Sequence, residues 1–181
     1  MPEPRSSPVR HEDAGLTWAL RLSVVAVVLL SSVGCDQMTK SLAQQQLAAS
    51  PPISLLNDLV RLELASNRGA FLSLGESLPG AVRYLLFVGI VSAALAAMIA
   101  FALRLRGADP GHLVAFSLLA GGGIGNLIDR ILHDGAVVDF VSIGIGPLRT
   151  GIFNLADAAI SLGILLLLLP WRRSSIFSFL A

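Results

Sequence analysis

Four aspartates, Asp36, Asp129, Asp139 and Asp157, stand out in this chain because of where they fall relative to long apolar runs. Three polar groups border those runs: Asp36, Gln37 and Lys40; Asn126, Asp129 and Arg130; and Asn154 with Asp157. Carboxylates and amides in or beside a membrane helix are costly, so their default reading is functional. Spacing puts several of them on shared faces. Asn154 and Asp157 are three apart, Asn126 precedes Asp129 by three and Arg130 by four, and Asp36 meets Lys40 at four if the helix continues that far. No Ser/His or Cys/His pair accompanies them. His11 lies near the N-terminus, His112 at the far end of an apolar run and His133 in a loop, a poor set for a metal site. What remains is carboxyl chemistry. Two aspartates close together in a low dielectric share one proton. Such a pair activates water as general base while protonating a carbonyl oxygen as general acid, and its pKa values belong to the pair.

A plainer reading stands beside each candidate. Asp129 with Arg130, and Asp36 with Lys40, are equally readable as ion pairs. Asp157 resists that reading, because no basic residue lies within a helical turn and it heads a run of Leu and Ile. Asp139 sits in a Val-rich stretch, and composition alone does not select it. Cys35 reads as a small buried hydrophobe.

The elements that must position these residues follow from composition. Of 181 residues, 54% are hydrophobic and 14% charged, where soluble domains carry about 25% charged residues. Mean hydropathy is +0.75. These values exclude an ordinary soluble enzyme, a disordered protein and a nucleic-acid binder. A net charge of +1 sets up no bulk field toward polyanions, and one cysteine excludes a disulfide framework. A membrane crossing needs about 20 mostly apolar residues. Four windows qualify, near 16–35, 81–103, 111–130 and 152–170.

Arg5, Arg10, Arg21, Arg104, Arg106, Arg172 and Arg173 fall on one side of these spans, with Arg104 and Arg106 concentrated in a short link. Lys40, Arg61, Arg68, Arg83, Arg130 and Arg149 are spread along two long segments on the other side. The basic density of the short link puts both termini in the cytoplasm. All three polar groups then reach the outer leaflet. In the outer segments, Thr39–Ala49 is helix-compatible and suited to the membrane surface. Val60-Arg61-Leu62-Glu63-Leu64 alternates like a strand, and 136–143 reads as a strand or extended loop. The expected fold is an all-α integral membrane protein, a four-transmembrane-helix bundle with a small β-rich cap on the outer face. Residues 1–15 form an N-terminal tail, 16–173 the membrane domain with its cap at 36–80 and 131–151, and 174–181 a C-terminal tail.

The motifs on this frame resemble those of the lipoprotein signal peptidases (signal peptidase II), membrane aspartyl proteases of bacteria. Asp36-Gln37-Met38-Thr39-Lys40, Asn67-Arg68-Gly69-Ala70-Phe71, Gly122 to Arg130 ending Gly125-Asn126-Leu127-Ile128-Asp129-Arg130, Val137-Val138-Asp139-Phe140 and Phe153-Asn154-Leu155-Ala156-Asp157 look like the family's five boxes, in order. The second box departs from the family pattern, which usually has two small residues before its Phe; here Phe71 follows Ala70 directly. The resemblance implies removal of the signal peptide from prolipoproteins, just before a diacylglyceryl-modified cysteine, at the outer face of the bacterial cytoplasmic membrane. It makes Asp139 and Asp157 the catalytic dyad. Asn126, Arg130 and Asn154 look like supporting or substrate-positioning residues, with Asp129 beside them. Asp36, Lys40, Asn67 and Gly69 look like the shell that shapes the site. No metal or organic cofactor is implied, and the expected partners are prolipoproteins and lipid, with the chain a monomer.

The helix dipole near Asp157 favours its anion and leaves the shared proton with Asp139. Two readings compete with the peptidase. A small transporter or channel subunit would use Asp157 and Asn154 as a relay, but the polar groups gather at one depth. Ser32-Val33-Gly34-Cys35 also ends like a lipidation site. That reading leaves three spans unexplained.

Overall fold

The computed structural model describes residues 17–69, 75, 77–104 and 109–170. The two expected tails, 1–15 and 174–181, and the Ala70 and Phe71 positions lie outside the described residues.

Helix α1 runs Trp18–Leu47, starting where the Thr17 hydroxyl accepts from the Leu20 amide. Its 30 residues extend about 45 Å, against a hydrocarbon core of about 30 Å. The expected break after residue 35 does not occur, and Thr39–Leu47 continues the spanning helix instead of forming a separate surface helix. The cause is local: the Asp36 carboxylate and Lys40 ammonium neutralise each other one turn apart, 2.8 Å between charged atoms. Cys35, expected to be buried, is exposed on the helix surface. Helix α2, Gly80–Arg104, carries a π-helical turn at Leu85–Ile90. Helix α3, Pro110–Leu132, starts at an Asp109 N-cap with Pro110 in the first turn. Helix α4, Leu155–Leu168, starts at Asn154.

Among the described residues, α1, α2 and α3 are long and apolar enough to cross a membrane. The fourth expected span is shorter than its window: α4 has 14 residues, about 21 Å. Helix α3 is central and packs on the other three. Its seams are made of small residues, including fully buried Ala115 and Ala120, with Ala156 opposite on α4. Small side chains let helix backbones approach where lipid is as apolar as the protein interior. At Gly122 the approach is extreme, since a Cβ there would meet the Ala156 carbonyl oxygen.

Both expected strand segments form one four-stranded antiparallel sheet in the order β1 (Ile53–Leu55), β2 (Val60–Asn67), β3 (Val137–Ile145), β4 (Leu148–Arg149). Along the β2–β3 ladder, Leu62 pairs with Val141 but Ala65 pairs with Asp139. One extra residue on β2 therefore bulges beside Asp139, and bulges re-aim neighbouring side chains. On the other edge of β3, Phe153 bridges Val141, with hydrogen bonds of 2.8 and 2.9 Å. This bridge delivers the start of α4 next to β3.

Candidate active site

Each aspartate of the site comes from a different element: Asp36 from α1, Asp129 from the last turn of α3, Asp139 from β3 and Asp157 from the first turn of α4. The elements converge where α3 ends and the sheet begins. All of the sequence-expected site residues assemble there, in two tiers.

The lower tier is ionic. Lys40 donates all three of its protons: to Asp36 at 2.8 Å, to Asp129 at 2.9 Å and to the Asn126 Oδ1 at 3.0 Å. It is 2% exposed and Asp36 0%, so these charges survive burial only by pairing. The Asp36 Oδ1 also accepts from the Ala156 amide at 2.9 Å, which ties α1 to the start of α4. Asp129 accepts from the Val138 amide at 2.9 Å and from Gln37 at 3.0 Å. Of the two ion pairs that spacing left open, Asp36–Lys40 forms. Among the described residues Asp129 pairs with Lys40 and not with Arg130. Gln37 also donates to the Gly125 carbonyl at 3.2 Å, a link that its place among the polar residues of α1 hinted at without naming a partner.

The upper tier is a set of amides around two carboxyls. Asn154 is fully buried and accepts from the Asp157 amide at 2.9 Å, while Asp157 accepts from the Asn154 amide at 3.2 Å. This reciprocal capping box starts α4 and fixes the Asp157 rotamer. The Asn154 Nδ2 then donates to the Asp139 Oδ1 at 2.6 Å. One asparagine thus touches both carboxyls. Asn126 Nδ2 donates to the remaining Asp157 oxygen at 2.8 Å, and Asn67 Nδ2 to the remaining Asp139 oxygen at 3.1 Å. The Gly69 amide donates to Asn67 Oδ1 at 2.9 Å, which turns the Asn67 amide nitrogen toward Asp139.

Asp139 is 2% exposed. Burial disfavours its anion, and the nearby Asp157 charge adds to the effect; against the hydrogen bonds from Asn67 and Asn154, its pKa is pushed up to about 6. The site therefore holds a carboxyl that keeps its proton to higher pH than a free aspartate. Arg130 donates to the Gly69 carbonyl at 2.9 Å and the Asn126 carbonyl at 3.2 Å. Its guanidinium also faces the Phe87 ring, 5.3 Å from the centroid. Sequence reasoning missed Phe87, because a phenylalanine in an apolar span carries no signal. His133 caps α3 through its backbone and is exposed, in keeping with a loop residue. Among the described residues, no three His, Cys, Asp or Glu side chains gather as a metal site.

A buried, protonatable carboxyl joined through one asparagine to a second carboxyl is equipped for water activation and carbonyl protonation. Comparison with known proteins shows the family. Residues 27–172 match the family described as signal peptidase (SPase) II. The chain is 37% identical over 176 residues to a lipoprotein signal peptidase of Leifsonia xyli subsp. xyli, covering 92% of this chain and 77% of that protein. It is 34% identical over 154 residues to a lipoprotein signal peptidase of Halothermothrix orenii, covering 84% and 99%. Among solved structures, a bacterial membrane enzyme determined by the in meso method at 1.9 Å resolution aligns with a TM-score of 0.71 and 27% identity, covering 81% of this chain and 90% of that one.

Proposed function

Since this chain belongs to the signal peptidase II family, we propose that it removes signal peptides from diacylglyceryl-modified prolipoproteins, with Asp139 and Asp157 as its catalytic dyad. The observation that carries the assignment of the dyad is Asn154, whose side chain donates to one carboxyl and whose backbone donates to the other.

Water enters between the two carboxyls. The Asp157 carboxylate takes a proton from it as its oxygen bonds to the scissile carbonyl carbon, and Asp139 gives its proton to the carbonyl oxygen. The intermediate is a neutral gem-diol. It collapses as Asp157 returns its proton to the leaving nitrogen, a gem-diol hydroxyl proton goes back to Asp139, and the C–N bond breaks. Both carboxyls end as they began. Asn126 and Asn67 hold the outer oxygens of the pair, so neither carboxyl rotates away between steps. The raised pKa of Asp139, and the position of Asp157 at the start of α4, support this division of roles.

The chain acts as a monomer in the bacterial cytoplasmic membrane with four spans, α1 to α4, both termini cytoplasmic and the sheet as an outer cap. The apolar outer surface of the helices supports that placement, including Leu30 at 67% and Leu85 at 64% exposure, as does the basic link between α2 and α3. The substrate, an apolar helix with a lipid, enters sideways from the bilayer.

The test is cleavage of a purified diacylglyceryl-modified prolipoprotein by wild type, Asp139→Asn and Asp157→Asn, each checked for a cooperative thermal transition. Loss of one general acid or base costs about 10²- to 10⁴-fold, and both variants are expected to lose at least that much. Full activity in a folded Asp139→Asn variant would remove Asp139 from the dyad.

A further inference from the structure

The π-helical turn Leu85–Ile90 of α2 packs on α3 and carries Phe87, whose ring faces Arg130 at the edge of the site. A π turn spreads the backbone to i→i+5 bonding, and isolated π turns within α-helices occur often at functional sites. The Phe87 ring faces two things. One is the Arg130 guanidinium, 5.3 Å from the ring centroid. The other is the segment after β2, since a Cβ added to Gly75 would lie 3.1 Å from the ring edge. Gly75 has φ +80°, so a side chain there would be strained by the backbone and would crowd the Phe87 ring.

Arg130 is the conspicuous cation at the rim of the upper tier. Asp157 on α4, Asp139 on β3 and Asp129 on its own helix all act on it electrostatically, and Lys40 of α1 lies across Asp129 and Asn126. Yet among the described residues Arg130 forms no ion pair. Its two terminal nitrogens go to backbone carbonyls, and its Nε–H is buried without a hydrogen-bond partner. A guanidinium with three carboxylates nearby is held off them by something. The Gly69 and Asn126 carbonyls and the aromatic face do so together: the carbonyls fix its terminal nitrogens, and the ring's negative quadrupole attracts the cation without quenching it.

We infer that Phe87 is a positioning residue for the cleavage reaction: its ring holds the Arg130 guanidinium away from Asp139 and Asp157, so that neither carboxyl is locked in an ion pair. This rests on the peptidase reading above. With the ring gone, Arg130 swings onto the dyad and stabilises the anion of the carboxyl that must donate a proton. Turnover then falls, and the alkaline limb of the pH profile moves to lower pH.

The experiment measures kcat, KM and the pH profile of kcat/KM on the same diacylglyceryl-modified substrate for wild type, Phe87→Leu and Phe87→Tyr. Phe87→Leu is expected to lose kcat by about three- to thirty-fold, the span of cation–π strengths. Its alkaline limb shifts to lower pH by at least about half a unit, and Phe87→Tyr restores most of both. In an Arg130→Gln background, Phe87→Leu adds no further loss. If Phe87→Leu does not fold, trifluorophenylalanine at position 87 keeps the shape while depleting the face of the ring, and it is expected to reproduce the kcat loss and the shifted limb. Equal losses from Phe87→Leu with and without Arg130, or an unmoved limb, would show plain packing and overturn the inference. Wild type failing to cleave at all overturns the peptidase reading itself, a separate outcome.

Discussion

Asn154 does three jobs with one short side chain: it caps α4, donates to Asp139 and contacts Asn126. These jobs separate by substitution. Serine caps a helix as well as asparagine does, but its hydroxyl is too short to replace the 2.6 Å donor to Asp139. Asn154→Ser is therefore expected to keep the start of α4, read as protection of the Asp157 amide from hydrogen exchange, while turnover drops at least about ten-fold. Unchanged turnover would remove Asn154 from the site. The raised pKa of Asp139 gives a second prediction. Its neutral acid persists to about pH 6 in the free protein. The alkaline decline of kcat/KM is thus expected to report a proton lost at or above that value, the pair and not one residue setting the number. A flat profile from pH 5 to 9 would exclude a protonated dyad. The linkage has a definite sign. Asp139 binds its proton more tightly folded than unfolded, so its contribution to stability falls as pH rises from about 4 to 6 and is lowest above that. At this scale the sequence singled out Asp157 as a candidate through its isolation in an apolar run. Asp139 came only through resemblance, since nothing in a Val-rich stretch reveals which carboxyl the fold will bury.

The α3–α4 seam sets the spacing of the dyad's supports. Gly122 lies one turn before Asn126, and Ala156 lies one residue before Asp157. A methyl group at Gly122 would meet the Ala156 carbonyl oxygen and Ile160, and must push the helices apart. Overpacking of this kind costs about 1–3 kcal/mol. It also stretches the 2.8 Å bond from Asn126 to Asp157. Gly122→Ala is expected to lower both thermal stability in detergent and turnover. Gly34→Ala, where nothing lies within 4 Å of the added methyl, should leave both close to wild type. Equal behaviour of the two variants would show that the seam does not set the site. Helix seams were readable from the glycine cluster at 121–125, and the strands from alternation at 60–64. The unbroken length of α1 was not: Asp36 and Lys40 look like the end of a span until their mutual neutralisation, and that by Asp129, is seen.

Taken as a whole, the molecule is a helix bundle whose polar residues concentrate where the sheet meets it. The sheet has its own fastening. Asp58 in the β1–β2 turn accepts from Arg61 at 2.6 Å, and its carbonyl accepts from Arg149 of β4 at 2.7 Å. The Arg61 guanidinium holds its carboxyl down at about 2, so this clasp between the hairpins stays charged through the working pH range. The proposed topology makes the last prediction. With Cys35→Ser as background, a membrane-impermeant thiol reagent applied to intact cells should label Asp134→Cys beyond α3 but not Arg104→Cys at the end of α2; the reverse would invert the orientation. By itself the sequence determined the membrane class, the apolar windows, the strand segments and the family. These depend on local quantities, hydropathy over a span, periodicity and short motifs, which each segment carries before it folds. Only the tertiary structure decided that Lys40 serves Asp36, Asp129 and Asn126 at once, that Asn154 links Asp139 to Asp157, and that Phe87 faces Arg130. Those contacts join residues as far apart in sequence as Lys40 and Asp129, and burial and charge pairing at such separations are set by packing, which no local pattern encodes.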